Sequence, residues 1–348
     1  MRITSILQRG SSNVSPALLG CLAVAAVAAA APASSAVWSG LGGNNSPFLV
    51  LNNQGDPNFN QLLGINDGGV IVGYFGDGNI IANNGYVLVP RNHYAADNFT
   101  NLPAGDVATQ TQAIGINNRS TPDIVGFYTD GATGFTHGFL DSNGTQTAVD
   151  DPAGSVPNVT APVQNLLGIN DFGSAAGFWV DNNGHEHGFI VAINGANVAQ
   201  STFTEIPPNL FPGAVATQAS NITDEGLVCG FWTDGDGNNH GFFGRPGRGF
   251  ESFKVEIQGA TATSTSPFGC NNLGEIVGSF TDAAGAVHGF IFRGGRFQQF
   301  DATGSSQTAA FGVSGTFING VNDEGDIVGF FSDGTKVNGF TRTTLPVL

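Results

Sequence analysis

The sequence predicts an all-β fold, a six-bladed β-propeller built from four-stranded blades. The composition is one reason: Gly accounts for 52 of 348 residues and Phe for 28, whereas Lys and Arg together number only 11. Aromatic and β-branched residues favour strands, whereas helices favour Ala, Leu, Glu and Lys. The other reasons are a motif that recurs six times and the four short strands that each copy encodes. Repeated four-stranded units of this length are typical of propellers, whose blades bury their faces against each other.

The repeat predicts the number of blades. Its clearest form is "GINDxGxIVGxxxD", and its third residue serves as an anchor for alignment. Successive anchors are 51, 53, 53, 48 and 51 residues apart, so the copies average about 51 residues. Six copies fill almost all of residues 37–348, which we therefore expect to form a single domain. The anchors are Asn66, Asn117, Asn170, Thr223, Asn271 and Asn322.

Each copy contains its elements in the same order. An apolar strand such as "LLGI" ends at the anchor, and a turn of the type N-D-x-G follows, because Asn or Asp bonds the local backbone and Gly accepts a positive φ. An apolar run such as "VIVGYF" forms the second strand and ends at an Asp, which opens a second turn. A third strand then starts at "HGF" or a relative of it. A fourth apolar strand, for example "FTEI" or "FKVEI", completes the copy.

The two ends of the repeat region are complementary. The sixth copy stops after "NGFTRTT" and lacks its fourth strand. Residues 47–53, "PFLVLNN", precede the first copy and read as one additional strand. We therefore expect the N-terminal strand to complete the last blade, which closes the ring and leaves no unpaired edge.

Residues 1–36 read as a secretion signal. Arg2 and Arg9 give a positive start, residues 17–32 are almost wholly apolar, and small residues precede a cleavage site after Ala36. The apolar run is shorter than the roughly 20 residues that span a bilayer. The sequence thus predicts a secreted or periplasmic bacterial protein that has no membrane span after cleavage.

Charge limits the classes of partner. The net charge of −16 disfavours binding to nucleic acid or to an anionic membrane surface, and it leaves cations, neutral sugars or basic proteins. We expect a monomer. In an exported protein Cys229 and Cys270 form either a disulfide or two buried free thiols, since sister copies carry apolar residues at these positions.

The pattern "GINDxGxIVGxxxD…HGF" resembles the extracellular HAF-repeat proteins of bacteria, named for a His-Ala-Phe tripeptide. The resemblance covers residues 61–341. The present chain departs from it by carrying Gly in the middle of the tripeptide, and by carrying Asn84 and Asn338 in place of the His. The resemblance implies an exported repeat protein and carries no assigned reaction.

A recurrent Asp follows the second strand of every copy. A catalytic carboxylate would be needed once or twice rather than six times, and Asp is favoured at the first position of a tight turn. We therefore interpret the set as structural. "DGDGN" at residues 234–238 resembles the start of a calcium loop, but Arg245 stands at the twelfth position where such a loop has Glu. No metal site or cofactor is predicted, and Ca²⁺ is the one ion that this pattern suggests. The six residues are Asp77, Asp130, Asp181, Asp234, Asp282 and Asp333.

A histidine recurs at the start of the third strand in four copies. A three-residue turn after Asp181 places His187 beside Trp179, and the same register places His240 beside Trp232. We expect each imidazole to pack on its aromatic neighbour and to bond a backbone group, which is a structural role. In "DNNGHEHGF" only His185 and Glu186 are peculiar to their copy. The four histidines are His137, His187, His240 and His288.

The anchors offer the best route to a shared site. If the "GIN" strand is innermost, the anchors and the residues after them surround one mouth of a central channel, where oxygen ligands suit a hard cation or a sugar hydroxyl. The alternative is that these residues only close the turn. The carboxylates in question are Asp67, Asp171, Asp224 and Asp323.

The sequence contains no recognisable catalytic set. It lacks a G-x-S-x-G elbow, an H-E-x-x-H motif and a phosphate-binding loop. We therefore predict an exported binding or interaction module whose ligand is a carbohydrate, a cation or a surface protein. The alternative is a propeller hydrolase or lyase that acts on extracellular glycans or lactones.

Overall fold

A computed structural model of the chain describes residues 48–343, except for 92–93, 95–97, 103–107 and 196. The predicted secretion signal lies outside the described residues. The described strands form six four-stranded antiparallel sheets arranged in a ring, together with one small two-stranded hairpin. This arrangement confirms the prediction of a six-bladed β-propeller.

The strands follow chain order from the centre of each blade outwards, except that the outer strand of blade 6 is β1. Blade 1 contains β2 (Asn60–Ile65), β3 (Ile71–Phe75), β4 (Asn84–Leu88) and β5 (Phe99–Asn101). Blade 2 contains β6 (Ala108–Ile116), β7 (Asp123–Asp130), β8 (Thr136–Ser142) and β9 (Thr145–Ala148). Blade 3 contains β10 (Gln164–Ile169), β11 (Ser174–Val180), β12 (Glu186–Ala192) and β13 (Thr202–Ile206). Blade 4 contains β14 (Ala214–Ile222), β15 (Val228–Asp234), β16 (Asn239–Arg245) and β17 (Gly249–Phe253). Blade 5 contains β20 (Ser264–Cys270), β21 (Ile276–Thr281), β22 (Val287–Arg293) and β23 (Arg296–Phe300). Blade 6 contains β24 (Thr316–Val321), β25 (Ile327–Ser332), β26 (Val337–Arg342) and β1 (Phe48–Val50).

The ring is closed as the sequence predicts. Strand β1 pairs antiparallel with β26 and places Leu49 opposite Thr341. Phe48 stacks on Phe340 with 5.4 Å between ring centroids, so the closure buries aromatic surface as well as pairing the edge. The last blade therefore joins the two ends of the described chain.

Each innermost strand contains a β-bulge, and a glycine on the second strand faces it. A Cβ atom on Gly230 would lie 2.1 Å from the carbonyl oxygen of Gln218, which is far inside contact distance. The register of β14 with β15 shifts at the bulge just beyond this contact. Corresponding glycines in the other blades show the same approach at 2.0–2.1 Å: Gly73, Gly126, Gly177, Gly278 and Gly329. This explains the Gly of the "IVG" segment in every copy.

The "HGF" tripeptide supplies the core of each blade. Its aromatic residue is fully buried in all six copies, as Tyr86, Phe139, Phe189, Phe242, Phe290 and Phe340. The middle glycine packs against the next blade; a Cβ on Gly188 would lie 3.0 Å from the backbone nitrogen of Ala219. Close approach of the next blade at Gly188, and of the Phe253 ring of the same blade at Gly241, thus accounts for Gly rather than Ala at this position.

One strand differs from its sequence prediction. The fourth strand of blade 4 is β17, which ends at Phe253, and "FKVEI" does not continue it. Val255 is 1% exposed and packs in the core between blades 4 and 5, so the chain leaves the sheet at that point. It then forms the small hairpin of β18 (Glu256–Ile257) and β19 (Ala260–Thr261).

Blades 4 and 5 are also joined covalently. Cys229 on β15 and Cys270 on β20 form a disulfide, with Cα atoms 6.3 Å apart. Of the two alternatives for these cysteines, the structure contains the bridge. The helices among the described residues are three short 3₁₀ turns, Pro152–Gly154, Val198–Gln200 and Pro208–Leu210. No described helix is long and apolar enough to cross a membrane.

Candidate functional site: the acidic mouth of the central channel

The anchor side chains tie neighbouring blades together. Asn66 donates from Nδ2 to the backbone oxygen of Asn117 at 3.1 Å, while its Oδ1 accepts from the backbone N–H of Val70 at 3.0 Å. The same hydrogen bond, from the side-chain Nδ2 to the backbone oxygen of the next anchor, joins Asn117 to Asn170, Asn170 to Thr223, Asn271 to Asn322 and Asn322 to Asn66, at 2.8–3.2 Å.

The fourth copy completes this ring in a different way. Thr223 has no amide, but Asn221 occupies the position of a motif glycine and donates from Nδ2 to the backbone oxygen of Cys270 at 3.2 Å. All six blade junctions are therefore bridged. The six anchor residues are only 2–6% exposed. Both polar ends of the anchor asparagines are thus engaged by the framework, and the residues after them face the mouth more directly.

The residue after each anchor forms a second, unbroken ring. The backbone N–H of Asp67 donates to Oδ1 of Asn118 at 2.7 Å, and the N–H of Asp323 donates to Oδ1 of Asp67 at 2.9 Å. Four bonds of the same kind and of 2.7–2.9 Å complete the circle. We call this circle the mouth ring; its members in order are Asp67, Asn118, Asp171, Asp224, Asn272 and Asp323.

The four carboxylates that the sequence placed at the mouth are all in this ring. Asn118 and Asn272 were not among the predicted residues, although both stand at the same position in the aligned repeat. Asn272 donates from Nδ2 to Oδ2 of Asp224 at 3.1 Å and to Oδ2 of Asp323 at 3.0 Å. One amide thereby bridges two carboxylates and holds their second oxygens in place.

Negative charge is crowded at the mouth. Burial, followed by repulsion from Asp323, Glu324 and Asp171, raises the pKa of Asp67 above its usual value, although the backbone N–H of Asp323 opposes the rise. A raised carboxyl pKa means that the ionised form is less favourable here than in water. A positive charge at the mouth would relieve this repulsion.

A small cavity of about 110 Å³ lies inside the mouth ring. Its wall at the middle of the innermost strands consists of Leu63, Ile114, Leu167, Ser220, Phe268 and Asn319. Three lining groups lack hydrogen-bond partners among the described residues: both amide atoms of Gln61, the hydroxyl of Ser220 and Oδ1 of Asn319. Gln61 is 1% exposed and Ser220 is 3% exposed. Buried polar groups require partners, so the cavity is suited to a polar occupant.

The next residue of each turn forms the rim outside the mouth ring. The six rim residues are Gly68, Arg119, Phe172, Glu225, Leu273 and Glu324. Phe172 and Leu273 are 74% and 69% exposed. Three charged residues are next to them in the ring order. Arg119 pairs with Asp123 at 2.8 Å and Glu225 with Arg245 at 2.8 Å, and Glu324 lies close enough to Asp67 to repel its carboxylate. The rim therefore offers two apolar contacts, on blades 3 and 5.

The recurrent Asp of the second turn lies at the other end of each blade. Oδ1 of Asp181 accepts from the backbone N–H of Asn183 at 2.8 Å and of His185 at 2.9 Å. Each of the six, Asp77, Asp130, Asp181, Asp234, Asp282 and Asp333, accepts the N–H two residues further on, at 2.7–3.1 Å. These contacts match the turn role. Asp234, the suggested calcium ligand, bonds its own turn and His240.

The recurrent histidines lie beside these turns. His187 stacks on Trp179 and His240 on Trp232, with centroids 4.1 and 3.8 Å apart, as the register predicts. The expected backbone partner is wrong, because each imidazole bonds a carboxylate. The pairs are His137 with Asp150 (2.6 Å), His187 with Glu205 (2.9 Å), His240 with Asp234 (2.8 Å) and His288 with Asp301 (2.9 Å).

The two residues peculiar to the third copy do not join this set. His185 is half exposed and lies 3.7 Å from Asp181, while burial raises the pKa of Glu186 to about 8. Throughout the part of the chain that the structure describes, no three His, Cys, Asp or Glu side chains are placed to hold a metal ion.

Comparison with known proteins concerns the fold. No family model and no curated protein matches the chain. A prolyl endopeptidase is similar at a TM-score of 0.44 and 10% identity over 79% of this chain. Trypanosoma rangeli sialidase in complex with sialic acid is similar at a TM-score of 0.45 and 8% identity over 84% of this chain. The β-propeller domain of the Trilobed protease from Pyrococcus furiosus is similar at a TM-score of 0.40 and 10% identity over 83% of this chain. The chain spans 40%, 54% and 99% of these three chains, respectively.

Proposed function

We propose that the protein is a binding module whose ligand carries positive charge and is held at the mouth ring. The observation that carries the proposal is the closed circle of Asp67, Asn118, Asp171, Asp224, Asn272 and Asp323. It presents four carboxylates at one small opening, above a cavity with unpartnered polar groups.

The ring is organised before a ligand arrives. Each of its side chains already accepts a backbone N–H from the neighbouring blade, so little conformational freedom remains to be lost on binding. Two unit charges 4 Å apart interact by about 1 kcal/mol in bulk water and by about 4 kcal/mol at an effective dielectric constant of 20. With about 1 kcal/mol from each carboxylate, replacing two of them should weaken binding by more than about tenfold.

Size distinguishes among the ligand classes that the sequence allows. A cavity of about 110 Å³ is well below the roughly 300–1,000 Å³ of pockets that enclose drug-sized ligands. It accepts a small charged group but does not enclose a sugar ring with its contacts. A basic group with its hydrogen-bond donors matches both the carboxylates and the cavity wall. The hydrolase or lyase alternative gains no support from the mouth, whose carboxylates all serve as backbone acceptors.

Calorimetric titration with three small probes tests the proposal: arginine methyl ester, glucose and N-acetylglutamate. We expect only the cationic ester to saturate the protein, with an affinity that falls as salt rises, because charges in water are screened over about 8 Å at physiological ionic strength.

The matched variants are Asp171→Asn/Asp323→Asn, which should bind the ester more than tenfold more weakly, and Asp236→Asn/Glu251→Gln, which removes two charges remote from the mouth. Saturation by glucose with no response to the ester, or undiminished affinity in the mouth variant, would contradict the proposal.

A further inference from the structure

We infer that the natural ligand is a protein segment that inserts one arginine side chain through the mouth ring and rests apolar neighbours on Phe172 and Leu273. The inference rests on the proposed function, that the mouth binds positive charge, and adds the class of partner. It follows from the shape of the channel, the chemistry of its wall and the composition of the rim.

The mouth ring and the inner wall are two levels of the same channel. Asp224 and Ser220 both line it and stand four residues apart on the same chain segment, which is at most about 13 Å at 3.3 Å per residue. The bulge in the innermost strand shortens this depth. A monatomic ion occupies a single level of such a channel. A long side chain meets the carboxylates and the inner wall together.

The wall of the channel is amphipathic. Leu63, Ile114 and Leu167 line it on blades 1 to 3, whereas Ser220 and Asn319 line it on blades 4 and 6. Arginine combines an apolar stem with a polar head and suits a wall of this kind.

Most of the unpartnered groups are acceptors, with Nε2 of Gln61 as the exception, so they favour a ligand rich in donors. Oε1 of Gln61, Oδ1 of Asn319 and the Ser220 hydroxyl are available as acceptors, in addition to the carboxylate oxygens. A guanidinium carries five N–H donors, whereas an ammonium carries three. Water also hydrates the planar guanidinium more weakly than the ammonium. The set of acceptors therefore fits arginine better than lysine.

The rim indicates what surrounds the arginine. Single exposed apolar residues are ordinary on protein surfaces. Phe172 and Leu273, however, occupy the same position of the repeat, next to the mouth-ring residues Asp171 and Asn272. They stand on either side of blade 4, so apolar residues before and after an inserted arginine can cover one each. The charge of the mouth and the apolar rim together match a basic-apolar segment.

Acetylated, amidated peptides test this. In wild-type protein, Gly-Leu-Arg-Leu-Gly should bind at least tenfold more tightly than each of three other peptides. These are Gly-Ser-Arg-Ser-Gly, the peptide with lysine in place of arginine, and the peptide with citrulline, which is isosteric with arginine but uncharged, in its place. Phe172→Ser/Leu273→Ser should remove the preference for Leu over Ser while leaving the affinity for arginine methyl ester within twofold. The control is Ile80→Ser, an equally exposed apolar residue on a turn of blade 1 remote from the mouth.

The outcomes separate the two proposals. If no cationic probe binds to folded protein, both fall. If arginine methyl ester binds but the Leu peptide is no tighter than the Ser peptide, the mouth remains a cation site and the protein partner is overturned. Citrulline or lysine peptides that bind as tightly as the arginine peptide overturn the assignment of arginine. Thermal unfolding of each variant confirms that it is folded.

Discussion

At the scale of single residues, two neighbours in the same turn have different roles. Asn170 directs its amide to the next blade and is 6% exposed, whereas Asp171 uses one oxygen for a backbone N–H and lines the mouth. The first residue thereby stabilises the ring, and the second gives the ring its charge. Stability and binding are separable by mutation for this reason.

Substitution of Asp67 by Asn should stabilise the protein and weaken cation binding. The pKa of Asp67 is raised in the folded state, so the ionised carboxyl is disfavoured there at neutral pH. Asn keeps the Oδ1 that accepts from Asp323. Urea unfolding at pH 7 should show a small gain in the free energy of unfolding. The gain should shrink as the pH falls through the raised pKa of the folded state, and it should vanish below the unfolded value near 3.8, where the wild-type carboxyl is protonated in both states. Asp236→Asn serves as control, and an equal gain there would refute this reasoning.

Removal of an anchor amide should destabilise the ring. Asn170 donates to Thr223 and accepts from the N–H groups of Phe172 and Ser174, so Asn170→Ala leaves buried backbone groups unsatisfied. We expect a loss of about 2–3 kcal/mol in the free energy of unfolding. Thr223→Ala removes one bond, to the N–H of Leu227, and should lose about 1 kcal/mol. Equal losses in the two variants would contradict the role of the amide.

The turn carboxylates should make the protein sensitive to acid. Although burial opposes it, bonds from His240 and from backbone N–H groups lower the pKa of Asp234 to about 2. A lowered carboxyl pKa stabilises the folded state above the unfolded pKa near 3.8, and that contribution is lost as the pH falls from about 4 to 2. The unfolding midpoint of Asp234→Asn should therefore depend less steeply on pH in this window than that of Asp236→Asn. Parallel curves would show that the Asp234 contacts do not contribute.

At the scale of strands and turns, the contact of glycine with the bulge is the most restrictive feature. Gly230→Ala places a Cβ against the carbonyl oxygen of Gln218, a backbone atom that cannot turn away. We expect a loss of about 3 kcal/mol in the free energy of unfolding. Gly235→Ala in the turn of the same blade meets nothing within 4 Å and should change stability by less than about 0.5 kcal/mol. Similar stabilities of the two variants would mean that the bulge relaxes.

The sequence predicts what recurs in every copy and misses what varies between copies. Strand order, both turns and the His–Trp neighbours follow from the repeat and its register. The carboxylate partners of the histidines could not be predicted, because Asp150 follows His137 by 13 residues whereas Glu205 follows His187 by 18. Likewise, "FKVEI" reads as a strand, but burial of Val255 between two blades takes the chain out of the sheet.

At the scale of the whole molecule, closure of the ring creates the site. The bonds of the mouth ring run between neighbouring blades, so the circle exists because the sixth blade meets the first, with Asp323 bonded to Asp67 across 256 residues of sequence. The repeat placed the carboxylates at a mouth. It could not show that the amides of the anchors are used between blades, that Gln61 and Ser220 lack partners, or that the cavity is small, since these depend on how six innermost strands pack about the axis.

The chain itself shows how to remove the charge of the mouth without removing its structure. Asn118 and Asn272 already hold the same ring bonds with amides, accepting from Asp67 and Asp224 at 2.7 and 2.9 Å. Replacement of Asp67, Asp171, Asp224 and Asp323 by Asn should therefore leave the circle closed and the fold stable. The variant removes the charge of the mouth and keeps the six bonds from backbone N–H groups, but it loses the two bonds from Nδ2 of Asn272 to Asp224 and Asp323.

Titration of this fourfold variant with arginine methyl ester is the most direct test of the mouth as a site for positive charge. At about 1 kcal/mol per carboxylate, we predict that the variant remains folded and binds the ester at least about 100-fold more weakly. A folded variant that retains the wild-type affinity would contradict the account, because the ligand would then be held elsewhere.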